Sequence, residues 1–243
     1  MGFLRTEWNL QLIDGRTMLP IDDDNGVFQI LQENDPSQVT IYRERNDAGV
    51  TGALTQPATM ANGNIRFWTD ATTTVVDICV QTSNGHFFFL ESIRPSNQRI
   101  VVWPDKMEYT MILPYQVVGA SESVRDTGFD ILANMLMKDC FLHVTTLGTG
   151  ATLDIGTSTD PDGFADGVSA ATTGYPITLL EEALVSTSSL IGLLLANVTG
   201  TDVRKLHRRA NGTSGANIVY QNTTSSSLAG EGYIYLTYLR IPT

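Results

Sequence analysis

Charge is scarce in this 243-residue chain, and what there is leans to one sign: 15 Lys and Arg stand against 26 Asp and Glu, for a net charge of −11. Affinity for nucleic acid rests on cations displacing condensed counterions, so this balance excludes a DNA or RNA partner. Cysteine is nearly absent. Cys79 and Cys140 lie in opposite halves beside apolar residues with no CxxC spacing, which predicts two buried free thiols and not a disulfide scaffold. No apolar stretch approaches membrane-spanning length, and Met1–Trp8 carries no basic region followed by an apolar one. We therefore expect no membrane partner, no cleaved signal and synthesis in a cytoplasm. Without that secretory route, the sequons at Asn197, Asn211 and Asn222 read as chance in a Thr-rich sequence. Heptads, a solenoid period and the metalloprotease, nucleophile-elbow and P-loop motifs are also missing.

What is present is a turn-rich β sequence. Hydrophobic residues make up 42%, Val, Ile, Thr, Tyr and Phe recur in short groups, and helix formers never cluster for long, so the expected fold class is all-β. The length suits two domains, each with its own core. Residues 3–13 alternate, Asp14-Gly15 supplies a turn and Met18–Leu31 resumes, which predicts a hairpin interrupted by the solvated acidic turn Asp22–Gly26. Strands are expected over 39–43, 65–68, 75–80, 86–90 and 99–103, a small antiparallel sandwich or barrel. The register changes within 105–122, where Pro114 cannot donate to a central ladder and favours an edge or crossing segment. We place the domains at 1–112, a small β module with a leading arm, and 113–243.

In the second half, 129–138 has the composition of a helix, while 135–144 reads equally well as strand. Strands are expected over 151–156, 179–185, 190–198, 216–221 and 233–241, a count suited to a jelly-roll-like β-sandwich. The apolar run 190–198 should be buried on both faces, inside the sandwich or against another subunit.

Candidate chemistry is thin. Asp154, Asp160, Asp162 and Asp166 offer hard oxygen donors of the type Ca²⁺ takes, but not at EF-hand spacing, so turn chemistry is expected and no metal or cofactor. His86, His143 and His207 are scattered among strands and a basic loop. Glu181-Glu182 reads as a solvated strand or turn end, and Arg204–Arg209 as an exposed loop or strand edge. Phe87–Phe89 and Tyr233, Tyr235 and Tyr238 could stack sugars, but aromatic residues in alternating strands usually fill cores or interfaces. These readings predict no catalytic residues, no small-molecule substrate and no enzyme.

The run Gly150–Val168 (GATLDIGTSTDPDGFADGV), alternating and then breaking at an Asp/Gly turn, and the closing strand Gly232–Leu239 (GYIYLTYL) together resemble the C-terminal domain of tailed-phage virion proteins. Head decoration (cement) proteins and some fibre proteins are the relevant members. About forty residues of the first half, including VTIYRERNDAG at 39–49 and VVDIC at 75–79, are similar to small β modules of phage head and tail proteins. The resemblance favours strands over 129–144. It also implies a decoration protein on the capsid exterior, made in the host cytoplasm, with the major capsid protein as partner and a homotrimer at local three-fold axes. A tail-fibre or receptor-binding, carbohydrate-recognising protein is the alternative.

Overall fold

Alternating strands dominate the computed structural model, which describes residues 5–43, 53–95, 97–104, 108–119, 123–132, 135–146, 152–169, 177–178, 208–209, 216–223 and 230–240. No helix occurs among them. The chain divides into two compact units, 1–106 and 107–243. The expected boundary at 112/113 would cut through a strand, Glu108–Val117, that belongs whole to the second unit.

The first unit holds β1 (Arg5–Asp14), β2 (Val27–Gln32), β3 (Ala58–Thr59), β4 (Asn64–Asp70), β5 (Val76–Gln81), β6 (Phe87–Ile93) and β7 (Asn97–Val102). One sheet runs β4-β1-β7 and the other β3-β2-β5-β6. Their facing sides share one core: Trp8, Leu10, Leu12, Ile65 and Phe67 from the first, Phe28, Ile30, Val76, Ile78 and Val80 from the second. Trp8 stacks on Phe67 at 5.5 Å between ring centroids, and its buried indole N–H donates to Thr69 Oγ1 at 2.9 Å.

The expected hairpin between 3–13 and 18–31 does not form. β1 pairs antiparallel with β4 and parallel with β7, while β2 lies in the other sheet. The intervening acidic turn is the crossover, and it is not simply solvated: Asp23 is buried, with Oδ1 accepting the N–H of Asn25 and Gly26 and Oδ2 that of Ser83. A carboxylate that collects three amides can hold the chain where it changes sheets. The stretch expected as a strand at 39–43 makes only isolated bridges. The Asn62-Gly63 turn, with φ of 52° and 65°, is the left-handed pair that a tight turn demands. A Cβ on Gly63 would also strike the Ile21 carbonyl.

The second unit holds β8 (Glu108–Val117), β9 (Arg125–Ile131), β10 (Met135–Thr146), β11 (Thr152–Thr157), β12 (Asp160–Ser169), β13 (Ile177–Thr178), β14 (Arg208–Arg209), β15 (Ala216–Asn222) and β16 (Gly230–Arg240). One sheet runs β13-β10-β16-β8, with β14 also pairing β10, and the other β12-β11-β15-β9. First strand beside last, and second beside next-to-last in the opposite sheet, is the nested double Greek key of a jelly roll. Pro114 lies in β8, an edge strand, as its missing N–H requires. The two sheets are joined at β8 and β15: Tyr220 packs edge-on to Tyr115, its hydroxyl bonds the Gln116 backbone, and Asn222 Nδ2 donates to the Gly119 carbonyl at 2.7 Å. The expected strands at 179–185 and 190–198 lie outside the described residues.

One buried group in the first unit generates a stability prediction. Asp77 Oδ2 accepts the N–H of Asn34 and Oδ1 that of Ser92, at 2.9 and 2.8 Å, and both donors sit at positive φ (58° and 53°). Ser92 lies in the register shift by which β6 gains residues over β5. Asp77→Ala should therefore cost about 3 kcal/mol in urea unfolding, whereas Ser92→Gly, which relieves the backbone, should be neutral or stabilising.

Candidate functional site

The strand alternation decides which side chains can form a site. On β8, β10 and β16, Met111, Leu113, Cys140, Leu142, Ile234, Leu236 and Tyr238 enter the core of the second unit, so their odd and even neighbours take the other face. The three tyrosines grouped in the sequence are thereby split. Tyr238 is fully buried and stacks on Tyr109 at 5.6 Å, while Tyr233 and Tyr235 share the outer face. There the register sets side chains in rows: Phe141 beside Tyr235 beside Ile112, and His143 beside Tyr233 beside Pro114.

His143 lies 6.3 Å from both tyrosine rings, and Tyr233 meets Tyr235 edge-on at 6.4 Å. The next row pairs Thr237 with Thr110, whose hydroxyls are 3.2 Å apart. Phe141, His143, Tyr235, Thr110 and Thr237 line a pocket of about 390 Å³. Among the described residues the lining carries no Lys, Arg, Asp or Glu. Just beyond it, Asp139 is the register partner of Thr237, with a carboxyl raised above the ordinary carboxylate range chiefly by burial, and Glu108 pairs with Lys138 at 2.7 Å.

The other candidate residues that are described lie on separate elements. His86 is buried in the β5–β6 turn with Nδ1 3.2 Å from Thr82 Oγ1, His143 lies in the other unit, and His207 is outside the described residues. Phe87 is buried and Phe88 packs against the first core. Arg208 and Arg209 form β14 on the edge of β10; Arg204–His207 and Glu181-Glu182 are outside the described residues. Cys79 and Cys140 are free and fully buried, and burial pushes both thiols far above their usual range, so neither is a nucleophile in the folded chain. Asp130, raised by burial and by Asp126, lies on β9, and Asp14, lowered by the Arg16 amide, ends β1.

The expected Asp/Gly turn is displaced. The turn is Ser158-Thr159, and Asp160–Ser169 is strand, with a wide bulge: Thr157 pairs with Asp160, but Ile155 only with Ala165. Gly156 permits this, because a Cβ there would overlap the Asp160 carbonyl. Asp154 Oδ1 accepts the Gly167 amide at 2.9 Å, fixing the far side of the bulge. Asp160 and Asp162 are thus spread along an edge strand, and no group of three potential ligands gathers among the described residues.

No family model matches the chain, and no curated protein matches it. Two solved structures are similar to it over 98% of its length, each with a TM-score of 0.22: one of the infectious bursal disease virus Gt strain, at 12% identity, and one of the infectious bursal disease virus VP2 subviral particle, at 13%. The chain covers 61% of each of those chains. Structural likeness at that level carries no argument, so function has to be read from this chain's own strand order and side chains.

The bulge generates a prediction. If these carboxylates serve the backbone, EDTA and millimolar Ca²⁺ should both leave the melting temperature unchanged. Asp154→Ala, which frees the Gly167 amide, should cost about 1 to 2 kcal/mol with or without the ion.

Proposed function

We propose that the chain is a structural protein of a tailed-phage virion, a head decoration or cement protein that binds the outside of the major capsid protein shell. The observation that carries this reading is the strand order of the second unit. A jelly roll is an architecture recurrent in viral capsids and lectins, a rigid block whose backbone is satisfied internally and whose faces are free for contact. The net charge of −11 suits a surface turned away from packaged DNA. The reading takes the protein to be no enzyme, in keeping with the scattered shifted groups, and to act as a homotrimer at local three-fold axes.

The mechanism is mass action. A ligand that binds only the assembled lattice stabilises it in proportion to the logarithm of its free concentration over Kd, and repetition over a closed shell sums many weak contacts into a large barrier to rupture. Trimerisation would multiply the contacts made by each particle of the protein without any new chemistry.

Particles lacking the protein should assemble and package DNA but release it at lower temperature than complete ones, while adsorption to cells is unchanged. Light scattering on the isolated protein should give a trimer mass. Deficient particles that resist heat as well as complete ones yet fail to adsorb would replace the cement reading with the receptor-binding one.

A further inference from the structure

We propose that the outer face of the β8-β16-β10 sheet binds a neutral carbohydrate, with one pyranose ring seated in the pocket lined by Thr110, Phe141, His143, Tyr235 and Thr237. The volume of about 390 Å³ lies at the small-ligand end of binding pockets and is too small for a helix or a folded segment. Its composition divides as a sugar does. A pyranose has one face of C–H bonds, which carry slight positive charge and settle on the negative face of an aromatic ring, and an edge of hydroxyls that need donors and acceptors.

The pocket supplies both. Tyr235 and Phe141, register partners on adjacent strands, line the pocket, are half-buried and offer the apolar platform. Tyr233, edge-on to Tyr235 from the neighbouring row and itself only 7% exposed, buttresses the platform from the side and limits the rotation that would otherwise be lost on binding. At one end the Thr110 and Thr237 hydroxyls, and at the other the His143 imidazole, can each donate and accept.

Charge selects among sugars. Among the described residues the lining has no Lys or Arg to receive a carboxylate, sulfate or phosphate, and Asp139 stands next to Thr237. An anionic sugar would meet the Asp139 carboxyl, which accepts the Cys140 amide, with no cation in the described lining, whereas a neutral hexose or N-acetylhexosamine loses little there. What is proposed is binding without cleavage, since the described lining holds no paired carboxylates of the kind glycoside hydrolysis uses. Sugar binding at this face does not depend on the shell role, although both use the same unit.

The test uses the full chain, a glycan array and saturation-transfer NMR with methyl α-glucopyranoside, methyl β-galactopyranoside and N-acetylglucosamine. Neutral glycans should bind, and sialylated or sulfated ones should not. Tyr235→Ala should weaken binding by about tenfold or more, and Tyr235→Phe, which keeps the ring, by no more than about twofold. Thr237→Val should weaken binding without altering the melting temperature. Three results would overturn the assignment: wild type binding no neutral glycan, a preference for acidic glycans, or undiminished binding by a folded Tyr235→Ala. A change of oligomeric mass in Tyr235→Ala with no glycan bound by wild type would instead give this face to contacts between copies.

Discussion

The pairing of the first strand of the second unit with its last, β8 with β16, is the contact on which that unit depends. Ten register pairs run from Gly230 opposite Val117 to Leu239 opposite Glu108, and the other side of β16 pairs along nearly its whole length with β10. Every residue of β16 from Glu231 to Leu239 therefore has its face assigned from both sides, and a one-residue slip would turn Ile234, Leu236 and Tyr238 out of the core and Tyr233 and Tyr235 into it. Gly232 marks how tightly the ladder is drawn, since a Cβ there would run into the His143 carbonyl. Because these strands are separated by more than a hundred residues, the loop-closure entropy is met late, and folding of this unit should be slow for its size.

The first unit solves a different problem with buried carboxylates. Its chain changes sheets four times, after β1, β3, β4 and β6, and segments that cross or bulge leave backbone amides without a ladder partner. Asp23 and Asp77 collect five such amides between them, and Asn62-Gly63 makes the second crossing by adopting positive φ. An acceptor that is charged and enclosed makes stronger bonds than a neutral one, which offsets its own desolvation and the strained φ of Asn34 and Ser92.

Much of this was legible in the sequence. Period-two alternation located β1, β4, β5, β6, β11, β15 and β16 to within a few residues, and Pro114 marked an edge strand, because both signals are local consequences of backbone geometry. What failed is what depends on three-dimensional partners. The turn at Asp14-Gly15 looks the same whether the chain returns along its own strand or crosses to another sheet. The burial of Asp23 depends on a distant amide at Ser83, and the bulge opposite Gly156 depends on which residues of β12 the ladder skips. The pocket was invisible for the same reason. The sequence grouped Tyr233, Tyr235 and Tyr238 by proximity, whereas the register separates Tyr238 and brings in Phe141, His143 and Thr110 from two other strands.

The edges of the second unit bear on how such a protein could work in an array. At high local concentration, exposed strands are templates for unwanted pairing, and a jelly roll keeps open edges. Here β8 carries Pro114 with Glu108 and Gln116 exposed, and β12 carries Pro161 and the exposed Asp162 within a bulge. Those features discourage strand addition at β8 and β12, one edge of each sheet, while leaving the sheet face unaltered. Under the proposed shell role, contacts between copies or with the capsid would then fall to side chains on faces and loops. Such contacts are individually weak, and they can be summed over a repeat or used to hold a small ligand without committing the backbone.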